Sequence, residues 1–269
     1  MADTTRPRLR PLLVPSEHGA WSFVLEPIVL GVLVAPSTAA VPLALAALSL
    51  FFARQPAKLA LQDLSRGQRY PRTLRAARLA IGLVTAGGLF ALAAWRVSPH
   101  PWWVPVAIAA PLGLLQLAYD VRREGRGLVP ESAGPVAAAV SAPAIAAAAG
   151  WSPAGWATLW ALIALKGIAA TLYVRARLRV AKGEPADRVL PLVAHVAAIG
   201  AAAALAQRGH APWLAAVAFT LLSGRAAAGL SSARRPTPAR TIGFTEVAWG
   251  AVFVVLVAAG YFSLPIAPV

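Results

Sequence analysis

A chain of 269 residues with 58 % hydrophobic and only 13 % charged residues, at a mean hydropathy of +0.65, has the composition of an integral membrane protein. The formal net charge of +15 would suit nucleic acid in a soluble protein, but here the basic residues sit in short segments between apolar stretches and form no separate basic domain, so nucleic acid is excluded as a partner. The absence of cysteine excludes disulfides, thiolate chemistry and Cys-ligated metals.

Nine apolar stretches are read along the chain, at 17–35, 38–54, 78–96, 101–120, 133–150, 152–174, 188–207, 211–230 and 243–263. Each is close to the roughly 20 residues that a helix needs to cross a bilayer. The first contains Glu17, His18 and Glu26 and lacks a small-residue cleavage pattern, so it reads as a retained helix rather than a cleaved signal. With the N-terminus in the cytoplasm, Arg6 to Arg10, the run from Arg54 to Arg78, Arg122, Arg123 and Arg126, the run from Arg175 to Arg188, and Arg225 to Arg240 all fall on the cytoplasmic side. Only Arg96 and Arg208 then face outward. Short loops rich in Lys and Arg stay on the cytoplasmic side during insertion, which predicts one all-helical membrane domain over 1–269 with the N-terminus inside and the C-terminus outside.

Ala-rich and Gly-rich segments such as Ala137 to Ala149 and Ala197 to Ala206 predict close helix packing, because lipid supplies no hydrophobic drive for association and small residues let backbones approach. The longer polar connections are placed at 55–77, 121–131, 175–187 and 231–242, all cytoplasmic, so chemistry on a polar substrate belongs there. Trp102, Trp103, Trp151, Trp156 and Trp213 fall near outer helix ends, as an interfacial aromatic belt requires. The outer half is almost wholly apolar and carries no convincing repeat, which favours a pocket closed to the outside over a transport path.

Ten acidic residues are present, and among them Glu26 alone lies deep in an apolar stretch. A charge at the bilayer centre costs roughly 2.5 to 3.5 kcal/mol on insertion scales and calls for a partner or a cavity. Lys166, midway in the sixth stretch, is the expected counter-ion.

Five polar constellations gather at the cytoplasmic ends. Ser16, Glu17, His18 and Gly19 open the first helix, where Ser16 and Glu17 suit ordinary capping and His18 suits proton transfer. Arg54 and Lys58 are four apart and share a helix face able to clamp one anion, with Pro56 expected to make the turn irregular and Asp63 and Arg66 following. The third joins Tyr119, Asp120, Arg122 and Arg123, continuing to Glu131; the fourth Tyr173, Arg175, Arg177 and Arg179; the fifth Arg234, Arg235, Arg240, Gly243 and Glu246. Any single Arg here is explained by anchoring to headgroups, but the joint pattern predicts one shared pocket for an anionic headgroup, phosphate or diphosphate. No P-loop, nucleophile elbow, His-Glu-x-x-His or dinucleotide fingerprint is present, which argues against ATP-driven chemistry in this chain. His195 reads as a helix-packing or cytoplasmic-end residue rather than a haem ligand.

Through Ser16 to Trp21, the Arg54-Gln55-Pro56-Ala57-Lys58 segment and the Tyr119 to Arg126 stretch, the chain resembles the YwiC-like family of bacterial membrane proteins along essentially its whole length. Its architecture is similar to the UbiA-type intramembrane prenyltransferases. That resemblance implies a multi-pass protein of the bacterial inner membrane, an isoprenoid diphosphate substrate and a small-molecule acceptor. It also implies two Asp-rich segments, after the second and sixth helices, that hold magnesium against the diphosphate. Here the first keeps Asp63 as its best single carboxylate, and the second has Arg175, Arg177 and Arg179 near the expected aspartates, with Glu184 and Asp187 displaced towards the loop. Magnesium bound to a diphosphate normally uses one or two carboxylates, so this exchange weighs against the metal. Two mechanisms remain open. In one, Arg54, Lys58, Arg66, Tyr119, Arg122, Arg123, Tyr173, Arg175, Arg177, Arg240 and Glu246 form the substrate site, while Glu17, His18, Asp63 and Asp120 orient or deprotonate the acceptor. In the other, the bundle binds or moves an anionic lipid or small organic anion without catalysis.

Overall fold

The computed structural model describes residues 20–125, 127–231 and 237–263, and within them every regular element is a helix. In chain order these are α1 (Ala20–Val34), α2 (Ala40–Leu64), α3 (Pro71–Val97), α4 (Trp103–Arg122), α5 (Leu128–Ala138), α6 (Ser141–Ala148), α7 (Pro153–Ala181), α8 (Val189–Gln207), α9 (Trp213–Leu230) and α10 (Ala239–Ser263). Seven of them, α2, α3, α4, α7, α8, α9 and α10, are long and apolar enough to cross a membrane, and α1 is a shorter apolar helix. This is a multi-pass membrane protein by its helices.

The fifth stretch, expected as one span over 133–150, is instead two short helices broken at Ala139 and Val140. Pro143 explains the break. It has no amide to give the Ala139 carbonyl, which is bonded from Ala142 at 3.3 Å in a tighter turn. All of α6 is buried, so the freed backbone groups are screened by neighbouring helices rather than exposed to lipid.

The polar connections are shorter than expected. α2 continues through a buried Pro56 to Leu64 and α3 begins at Pro71, so residues 65–70 replace the expected loop at 55–77. Pro71 at the first helical turn is well placed because its missing amide would have no partner there. α7 likewise runs on to Ala181. A helix that leaves the apolar layer changes its residue types without ending, and the change in polarity was the only boundary the sequence displayed.

The main core lies between α1, α6, α7, α9 and α10, where Leu30, Leu159, Leu162, Phe219, Phe253 and Val257 meet. Phe219 and Phe253 cross edge to face with centroids 5.1 Å apart. Small residues set the distances: a Cβ on Gly31 would meet the Ala142 backbone at 3.0 Å. Of the expected aromatic belt, Trp103 and Trp213 are exposed, but Trp102 is buried against Ala94 and Leu43, with Trp95 at 6.4 Å. Its apolar area is better used in packing than at the interface.

Candidate functional site

Arg54, Lys58 and Gln62 are spaced four apart and form one stripe along α2 that reaches the C-terminal end of α4. Arg54 donates from Nε and Nη2 to the same Asp120 carboxylate oxygen, at 3.0 and 2.8 Å. Lys58 Nζ stands 3.5 Å from the other oxygen, and Gln62 Nε2 donates to the Asp120 carbonyl at 2.5 Å. The shared face expected for Arg54 and Lys58 is therefore present, and the anion between them is Asp120. Gln62 extends the stripe; its amide one turn beyond Lys58 was the readable signal. Around Asp120 the chain turns sharply: Arg123 takes a left-handed conformation with φ 63°, and a Cβ on Gly125 would lie 2.8 Å from the carboxylate. Gly125 is thus the residue that lets Asp120 face α2.

Beside this group, Asp63 ends α2 and is saturated from α3. Arg72 donates to both of its oxygens, at 3.2 and 3.1 Å, and Thr73 Oγ1 donates at 2.8 Å. Thr73 Oγ1 also accepts from the Tyr70 amide at 3.1 Å, so the hydroxyl links the helix start to the carboxylate. Arg123 lies within electrostatic range of Asp63. Arg54, Lys58, Arg72 and Arg123 thus face two carboxylates, leaving this end of the bundle positive. Arg54 and Lys58 keep 41 % and 33 % of their side-chain surface accessible, so the surplus is presented outward.

The remaining residues expected on the cytoplasmic side do not join one hollow, as the sequence suggested, but form separate groups. Arg175 and Arg177 point to different sides of α7: Arg175 pairs with Glu131 on α5 at 2.7 Å, whereas the buried Arg177 donates to Thr237 Oγ1 at 2.6 Å. A notch of about 140 Å³ between α5, α7 and α8 is lined by Leu128, Leu172, Arg175, Arg179, Asp187 and Leu190, among others. Tyr173 is buried beneath Arg225, whose guanidinium carbon lies 4.1 Å from the ring centre. Glu246 is enclosed with Arg225 rather than with Arg240, and two nitrogen-to-oxygen distances of 3.0 Å join them. Arg66, Arg122 and Arg240 are exposed and Tyr119 is half-buried. Arg240 lies 5.4 Å from the Phe244 ring. Glu17, His18 and their neighbours Ser16 and Gly19, together with Arg126, Arg234 and Arg235, lie outside the described residues.

Deeper in the bundle, Glu26 and Lys166 form the expected pair, with Nζ at 2.7 and 2.5 Å from the two carboxylate oxygens. Lys166 is 2 % and Glu26 10 % accessible. α10 passes so close that a Cβ on Gly250 would collide with the Glu26 carboxylate, which makes glycine the residue that fits there. Arg225 is the partner that sequence reasoning missed.

The donor set does not fit magnesium. Among the described residues no group of three or more His, Asp or Glu could hold a metal ion, and Asp63 has both oxygens engaged by Arg72 and Thr73. Direct guanidinium and ammonium contact with an anion is what these side chains can offer.

No curated protein matches the chain. Residues 14–146 match the family model described as YwiC-like protein. The match ends within α6, before Lys166, Arg225 and Glu246, so it is shorter than the whole-length likeness read from the sequence. Over that segment, which carries Glu26, Arg54, Lys58, Asp63 and Asp120, the chain is similar to the YwiC-like family.

Proposed function

We propose that this protein holds the phosphate or diphosphate head of an isoprenoid or similar anionic lipid over the ends of α2 and α4. The observation that carries this reading is the convergence of Arg54 and Lys58, both still accessible, on one carboxylate within a positively charged end of the bundle. An incoming phosphate has the same chemistry as Asp120 and can share or take over its cations. Immediately inward of them, Trp21, Phe51 and Phe52 form an aromatic triad with centroids 5.5 to 5.7 Å apart, an apolar seat for the first units of a tail.

In the fuller, UbiA-like version of this reading, the lipid is a prenyl diphosphate. The allylic carbon–oxygen bond breaks with its electron pair leaving on the diphosphate, and Arg54 and Lys58 stabilise that developing charge. A small acceptor then bonds to the allylic carbon and gives up a proton, with Asp120, relieved of its cations, as the receiving base. The full engagement of Asp63 and Asp120 favours a second reading, binding or movement of the anionic lipid without transfer. Native mass spectrometry of gently extracted protein is expected to find a phosphorylated isoprenoid or another anionic lipid bound. Protein carrying neither would refute the headgroup reading.

The same proposal includes nine crossings, with α5 and α6 together making the fifth, an N-terminus in the cytoplasm and residence in the bacterial inner membrane, supported by the one-sided distribution of Lys and Arg. Because the chain has no cysteine, single introduced thiols report uniquely. An impermeant maleimide is expected to label His210→Cys in intact spheroplasts and Arg69→Cys only after permeabilisation. The opposite pattern would invert the topology.

A further inference from the structure

The interior of the bundle holds more charge than anchoring or headgroup binding needs. Glu26 on α1, Lys166 on α7, Arg225 on α9 and Glu246 on α10 are all enclosed, with Arg225 and Glu246 each 7 % accessible. Glu246 stands one helical turn, about 5.4 Å along the axis of α10, from Gly250, which itself abuts the Glu26 carboxylate. Glu246 is within electrostatic range of Lys166 and Glu26 as well as Arg225. Two acids and two bases make the set neutral, which is the state that low-dielectric surroundings favour.

The two carboxylates are held unequally. Glu26 takes the ammonium of Lys166 at both oxygens, whereas Glu246 has a well-directed bond from Arg225 at one oxygen only; its Oε1, though 3.0 Å from the guanidinium, has no hydrogen-bond partner. A second observation lies close by. His195 on α8 is 1 % accessible, donates from Nδ1 to the Pro191 carbonyl at 2.7 Å, and has no hydrogen-bond partner at Nε2. With Nδ1 as the donor, the neutral ring carries an acceptor lone pair at Nε2. Arg225 is within electrostatic range of this ring.

Leu30, Leu159, Leu162, Phe219, Phe253 and Val257 close the bundle on the far side of these groups. At the other end Arg177 and Thr237 continue the polar side chains towards the end of α7. Intramembrane chains of Glu and His that open to one side are the usual construction of proton relays.

We propose that Glu246 is the proton-binding group of this four-charge site, with His195 as the second acceptor, loaded from the end marked by Arg177 and Thr237. The charged groups facing Glu246 are Glu26 from α1, Lys166 from α7 and Arg225 from α9, with the Tyr173 ring on the guanidinium of Arg225. A proton arriving on Glu246 adds one positive charge to an otherwise neutral interior, and its departure restores neutrality. This reading does not depend on the headgroup proposal.

Infrared difference spectra of the protein in lipid nanodiscs, taken between neutral and mildly acid pH where exposed carboxylates stay ionised, test it. The expected result is a deuterium-sensitive protonated-carboxyl band that shifts when glutamate is carboxyl-labelled with carbon-13. Glu246→Gln should remove the band and Glu131→Gln should leave it. Glu246→Asp, which keeps the Arg225 pairing, should retain a titrating band that no longer responds to the glutamate label. Absence of any such band from the native protein, or persistence of its label sensitivity in Glu246→Asp, would overturn the proposal.

Discussion

Glu26→Gln is expected to destabilise the bundle by about 3 to 5 kcal/mol, and Lys166→Met by a similar amount, because each single change leaves the other charge buried without its partner. The pair is enclosed by α1, α7 and α10, and Lys166 has both Glu26 oxygens within 2.7 Å. Changing both residues together removes the orphaned charge. The double variant should therefore lose less than the sum of the singles, with a coupling of roughly 0.5 to 3 kcal/mol. Unfolding in mixed micelles measures all three. Additive losses would mean that the two groups act independently, contrary to the geometry.

What was legible from sequence follows from how local each rule is. Bilayer thickness and the retention of basic loops act on single segments, so the apolar stretches and the multi-pass class could be read directly. The Glu26 and Lys166 pairing was legible because so few ionisable residues lie deep in apolar stretches that the choice of partner was nearly forced. Arg225 was not, since it falls late in an apolar stretch and was grouped with the cytoplasmic charges; only the rotation of α9 against α10 brings it to Glu246. The common face of Arg54 and Lys58 followed from helical spacing. That Asp120 occupies that face depends on how α4 ends, at a left-handed Arg123 and a close Gly125. Arg175 and Arg177 illustrate the opposite failure: neighbours in a basic run, they lie on different sides of α7 and take different partners. Clustering in sequence predicted a single hollow, while the helix period distributes the same charges around the bundle.

The break between α5 and α6 has its signal in Pro143, set among alanines that otherwise favour a continuous helix. The helical extensions of α2 and α7 beyond their apolar portions had none.

The most direct measurement is the binding of a radiolabelled prenyl diphosphate to the protein in nanodiscs, compared across two variants of opposite sign. Arg54→Ala with Lys58→Ala removes two charge-assisted contacts of about 1.5 to 3 kcal/mol each, so affinity should fall at least roughly a hundredfold. Asp120→Asn keeps the shape of the residue that Arg54 and Lys58 converge on but removes the competing charge, and should tighten binding about tenfold while weakening the link between α2 and α4. Loss in the first variant together with gain in the second is the predicted result. Unchanged binding in both would contradict the account, placing the ligand elsewhere and leaving these side chains as a clasp between helix ends.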